Sequence, residues 1–141
     1  MNIGLIGIGT VGGGTYRVLK ENAAEISNKT GIEIKITHVA DKNLKLAKET
    51  VDKEITIEED AFALLENSSI DTIVELIGGT GIALDIVRKA LENGKHVVTA
   101  NKALIAMHGE ELVKIANTNN VLLAYEAAVA GGIPIIKALR E

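Results

Sequence analysis

The chain has 141 residues, 47% of them apolar and 24% charged, enough for one folded domain of ordinary size over residues 1–141. It has no cysteine, which excludes a disulfide framework, a thiol nucleophile and a thiolate metal site. A formal charge of −4 with 2% aromatics argues against nucleic acid as a partner, and the apolar run at residues 127–136 is too short to span a membrane, so a cytoplasmic location is expected.

Strand and helix signals alternate along the whole chain. Residues 2–7 (NIGLIG) read as a short buried strand, and apolar residues at helical spacing predict a helix over residues 10–28, broken by Gly31. Residues 32–40 (IEIKITHVA) alternate and are β-branched, which predicts a second strand. A short helix over 44–50, a short strand at 55–57 and a helix capped by Asp60 through residue 66 follow. Residues 71–77 (DTIVELI) form a strand, 81–93 a helix stopped by Gly94, and 96–99 a further strand. A helix over 110–117, a strand over 121–125 (VLLAY) and a helix starting near Ile133 and Pro134 complete the chain. About six strands alternating with helices predict an α/β fold of three layers, a Rossmann-type doubly wound parallel sheet with strands buried on both faces.

Four places carry candidate chemistry. Gly7, Gly9 and Gly12, with Thr10 and Val11 between them, follow a strand and open a helix. That context lets backbone amides and the positive helix end cradle a pyrophosphate. Asp41 ends the second strand, where a carboxylate can accept from the adenosine ribose hydroxyls and favour NAD. Lys42 and Lys45 beside it suit the 2′-phosphate of NADP. A helix-capping role for Asp41 is the structural alternative. Gly78 and Gly79 end one strand, while Thr99 and Lys102 flank the end of the next. Ligands sit outside such carboxyl ends, so Gly78 would pass close to a nicotinamide ribose, and the Lys102 ammonium would polarise a carbonyl or hold a carboxylate. Glu126 opens a glycine-bearing apolar loop whose oxygen donors suit a hard cation, or is simply a solvated acid. Of the histidines, His38 and His96 lie in strands, and His108 alone falls near the Lys102 segment.

At these residues the chain resembles the homoserine dehydrogenases. Residues 4–13 (GLIGIGTVGG), 97–109 (VVTANKALIAMHG) and 125–137 (YEAAVAGGIPIIK) carry the match, supported by 71–79 (DTIVELIGG). The first segment is common to many dehydrogenases, and the two later ones are far more specific. The resemblance implies an oxidoreductase that interconverts L-homoserine and L-aspartate 4-semialdehyde with NADH or NADPH, on the route to threonine, methionine and isoleucine. It implies that Gly7, Gly9, Thr10, Val11 and Gly12 bind phosphate. It places Thr99 and Lys102 in the loop facing cofactor and substrate, Lys102 being a catalytic candidate. It further implies a sodium site at Glu126, Val129, Gly131 and Ile133. Family members continue into a substrate domain that supplies acidic residues, a second lysine and most of a homodimer interface. This chain is therefore expected to be the cofactor-binding part, able to bind NAD or NADP without turning over. A related amino-acid dehydrogenase, such as one acting on aspartate, and a non-catalytic nucleotide-sensing module are the competing expectations.

Overall fold

The computed structural model describes residues 1–140. Strand β1 (Asn2–Ile6) leads into the glycine turn and helix α1 (Thr10–Glu21), followed by α2 (Ala23–Thr30). The single helix expected over residues 10–28 is thus two. Asn22 leaves helical geometry at φ −107° and ψ 14°, and its side-chain amide donates to the carbonyl of Val18 at 2.8 Å. An asparagine bonding back to the previous turn competes with helix continuation. Strand β2 (Lys35–Ala40), helix α3 (Leu44–Thr50), strand β3 (Thr56–Glu58) and helix α4 (Ala61–Glu66) come next. The Asn43 and Asp60 side chains accept from the Leu46 and Phe62 amides to cap α3 and α4.

Strand β4 (Thr72–Glu75), helix α5 (Gly81–Glu92) and strand β5 (His96–Thr99) agree with expectation apart from their ends. Helix α6 (Lys102–Thr118) starts well before residue 110, because the Asn101 side chain accepts from the Leu104 amide at 3.1 Å and nucleates a turn there. Strand β6 (Leu123–Ala124) is shorter than expected. A 3₁₀ turn (Glu126–Ala128) and helix α7 (Ile135–Arg140) follow.

The strands form one parallel six-stranded sheet in the order β3-β2-β1-β4-β5-β6. The chain builds outward from β1 to β3, then crosses back to lay β4, β5 and β6 on the other side of β1. The crevice at the carboxyl ends of β1 and β4 is where such a sheet opens to a ligand. Ile73, Ile86, Leu91, Val97, Leu104 and Leu112 belong to the core under α4, α5 and α6 on one face. Leu5, Ile8, Tyr16, Val39 and Ala47 belong to the core under α1 and α3 on the other. These Ile, Val and Leu side chains fill both cores with almost no aromatic help. The expectation that every strand is buried on both faces fails at β5, where His96 and Val98 are exposed. Among the described residues, the α1 and α3 layer covers β1 to β3 but not β5.

Candidate functional site

Gly7 adopts φ +92°, a left-handed conformation that side chains resist, and any Cβ there would lie 2.9 Å from the Ile77 Cγ2 methyl. A Cβ on Gly12 would overlap the Gly7 carbonyl, so α1 packs against the turn only because Gly12 has no side chain. The face of Gly9 is open. Gly9 occupies the N-cap of α1 and offers no side-chain acceptor, so the first-turn amides of Thr10, Val11 and Gly12 are left to solvent or a ligand. Thr10 and Val11 are both exposed at this helix end. Free amides at a helix N-terminus beside an open glycine form an anion-binding arrangement.

Asp41 is built into this turn. Its Oδ2 accepts from the Ile8 amide at 2.7 Å, and its Oδ1 from the Asn43 amide at 2.7 Å. The Gly7 amide in turn donates to the Ala40 carbonyl at 2.9 Å. The end of β2 therefore holds the first half of the glycine turn in place. The cap of α3 is Asn43, not Asp41.

Two clefts open at the carboxyl edge of the sheet. One, of about 310 Å³, lies between Asp41, Lys42 and Asp60 on one side and Ile77, Gly78 and Ile82 on the other. The other, of about 140 Å³, is lined by Val11, Glu75, Leu76, Gly78, Ala100 and Asn101. Gly78 borders both, and the exposed first turn of α1 projects Val11 into the smaller. A larger groove of about 420 Å³, between Tyr16, Lys20, Ile34, Ile36 and Asp52, lies away from these strand ends and contains none of the expected site residues.

Beneath the smaller cleft runs a buried polar network that the sequence reading missed. Glu75 is fully buried; its Oε1 accepts from the amides of Ile77 (2.9 Å) and Gly78 (3.2 Å), and its Oε2 from the Thr99 hydroxyl (2.6 Å). Thr99 Oγ1 accepts in turn from the Asn101 amide at 3.0 Å. The Asn101 side chain donates to the Gly79 carbonyl at 2.5 Å. The β4 and β5 loops are thereby locked together. The available signal was Glu75 set among the apolar residues 73–77 of that strand, since a buried carboxylate has to find donors.

Lys102 is the first residue of α6, not part of an open loop, and it is exposed next to the cleft-lining Asn101. Its ammonium carries no hydrogen bond or ion pair among the described residues. His108 sits in the second turn of α6, 3.8 Å from Glu111, in a separate surface hollow with Met107 and Lys114. His96 braces β6 through Nδ1, which accepts from the Leu122 amide at 2.9 Å. His38 bonds to Thr37 and Asn67.

The Glu126 loop lines neither cleft. The Glu126 carboxylate accepts from the amides of Ile136 (2.9 Å) and Lys137 (3.0 Å), tethering the start of α7. The Ile133 carbonyl accepts from the Ile135 amide at 2.8 Å, whereas among the described residues no backbone hydrogen bond in this stretch ends on the Val129 or Gly131 carbonyls. One carboxylate and several carbonyls form a hard-oxygen donor set, and the two unengaged carbonyls fit a weakly held cation. No group of three or more His, Cys, Asp or Glu side chains among the described residues suits a metal ion. None of their helices is long and apolar enough to cross a membrane.

Residues 7–126 match the family model for the homoserine dehydrogenase NAD-binding domain. The chain is 52% identical to a homoserine dehydrogenase of Neisseria gonorrhoeae and 50% identical to that of Pseudomonas aeruginosa, over 100% of its length in both cases. It spans 32% of each of those relatives. The crystal structure of a homoserine dehydrogenase from Thiobacillus denitrificans superposes with a TM-score of 0.94 at 48% identity, covering 100% of this chain and 32% of that one. A hyperthermophilic archaeal homoserine dehydrogenase in complex with NADPH superposes with a TM-score of 0.78 at 26% identity, covering 98% of this chain and 47% of that one.

Proposed function

From the premise that the chain belongs to the homoserine dehydrogenase family, as its NAD(P)-binding domain, we propose that it holds the nicotinamide cofactor of an enzyme interconverting L-homoserine and L-aspartate 4-semialdehyde. The observation that carries this reading is the uncapped start of α1 at open Gly9, whose first turn brings Val11 to one of the two clefts that share Gly78 at the carboxyl edge of the sheet. The domain reading is that residues 1–141 form the dinucleotide-binding unit, with the substrate-binding part contributed by the remainder of a longer enzyme.

The first-turn amides from Thr10 to Gly12 bind the pyrophosphate. Asp41 keeps lone pairs free beyond its two amide bonds and accepts from the adenosine ribose, favouring NAD. Lys42, exposed on the same cleft, is the competing handle for a 2′-phosphate. Gly78 and Thr99 shape the nicotinamide side. Lys102 stands where its ammonium orients the substrate or relays a proton at the carbonyl oxygen. The nicotinamide itself supplies or takes up the hydride. Glu126, Val129, Gly131 and Ile133 would hold a sodium ion, whose chemistry there is to fix the loop after β6. The small-molecule substrate, the homodimer and a cytoplasmic location belong to the whole enzyme.

Calorimetric titration of this chain with NAD and NADP tests the reading. Saturable binding is expected with little or no homoserine oxidation; no binding of either, or robust turnover by the chain alone, overturns it. In the complete enzyme, Lys102→Ala lowers kcat; unchanged turnover removes Lys102 from the mechanism.

A further inference from the structure

Glu75 closes β4 with no exposed surface, yet it forms part of the floor of the smaller cleft. All three of its partners donate to it: the amides of Ile77 and Gly78 and the hydroxyl of Thr99. No lysine, arginine or histidine among the described residues forms an ion pair with it. A structural tie between β4 and β5 does not need a full charge, because a neutral amide can accept one or two bonds as well. A buried carboxylate without a counter-ion is costly, and its field is screened far less than that of a surface acid.

The cleft above it is bordered by Val11 from the first turn of α1 and by Ala100 and Asn101 just before Lys102. That is the end of the crevice where the proposed reading puts the nicotinamide ring. The oxidised ring carries a positive charge and the reduced ring carries none. The geometry points to Glu75 as a positioning residue that also discriminates redox state: its carboxylate, met by three donors but by no counter-ion, favours the oxidised dinucleotide over the reduced one. This inference rests on the reading that the chain binds a nicotinamide dinucleotide.

The test is calorimetric titration of this chain and of its Glu75→Gln variant with the oxidised and reduced forms of NAD and of NADP, with circular dichroism to verify the fold. Glu75→Gln is expected to weaken binding of the oxidised form about tenfold relative to the reduced form. A loss of loop support alone weakens both forms equally, so an oxidised-to-reduced affinity ratio within about twofold of the parent value overturns the assignment. A parent chain that binds neither form overturns the cofactor reading instead, which keeps the two failures apart. If Glu75→Gln does not fold, Thr99→Val answers from the other side. It keeps the carboxylate, removes one of its donors, and is expected to raise the oxidised-to-reduced affinity ratio; an unchanged or lowered ratio overturns the assignment.

Discussion

Asp41 anchors the glycine turn to the end of β2 through the amides of Ile8 and Asn43, so its removal acts on fold and ligand together. Hydrogen bonds to a charged acceptor contribute about 1.5–3 kcal/mol each. Asp41→Ala is therefore expected to lower stability by that order in chemical denaturation and to weaken binding of both NAD and NADP. A marked preference of the parent chain for NADP would instead assign the cleft's selectivity to Lys42. At Gly12 the constraint is steric, since even a methyl group overlaps the Gly7 carbonyl. Gly12→Ala is expected to cost about 1–3 kcal/mol, read as a fall in Tm, with loss of cofactor binding as α1 moves off the turn. These glycines were legible from their order alone, because the spacing encodes the turn. The attachment of Asp41 to Ile8 was not, since it depends on where β1 and β2 end relative to each other in the sheet.

Each element's interior followed its pattern of apolar residues, and the disagreements fall at caps. Asn22 interrupts a stretch whose apolar spacing continues across it, and periodicity carries no trace of one side-chain amide turning back to Val18. Asn101 does the opposite. It starts α6 inside a segment that reads as loop, and thereby changes Lys102 from a loop lysine into the first residue of a 17-residue helix. Asn101 also ties that helix to Gly79. Asn101→Ala is expected to cost about 1–2 kcal/mol by thermal unfolding, from the lost cap, and to loosen the β4 loop. A Tm equal to the parent's would show that α6 needs no cap. The Glu75 network escaped the sequence reading for a related reason: its members lie in two separate segments that only the β4–β5 register brings side by side.

On the scale of the whole molecule, the helical layer over β1 to β3 is strapped by Tyr16 and Lys20 of α1 and Asp52 just after α3. The Tyr16 hydroxyl donates to Asp52 at 2.9 Å, and the Lys20 ammonium lies 2.7 Å from Asp52 Oδ1. Those bonds, led by that from Lys20, hold the Asp52 carboxyl below the usual carboxylate range. A group depressed in the folded state contributes stability that is complete above its unfolded value and disappears as pH falls through its folded value. The parent chain is therefore expected to lose stability on acidification below the ordinary carboxylate range more steeply than Asp52→Asn. Parallel denaturation curves for the two across that range would show that the strap is inert.

The alternation of strands and helices was enough to anticipate a six-stranded parallel sheet, because each crossover needs a helix and has one hand. It could not reveal that β5 stays uncovered on one side, which depends on which strands α1 and α3 reach. The strand order also has a kinetic meaning. β1 is hydrogen-bonded on both sides, to β2 and, through pairs such as Ile3 with Thr72, to β4. During synthesis, its second neighbour is therefore made only after β2, α3, β3 and α4. Until then one full edge of backbone donors and acceptors on β1 stands open, a docking edge for chaperones or for a misplaced strand. β2, made after β1, has both of its neighbours as soon as β3 is made, so β1 precedes β2 in the chain and follows it in completion.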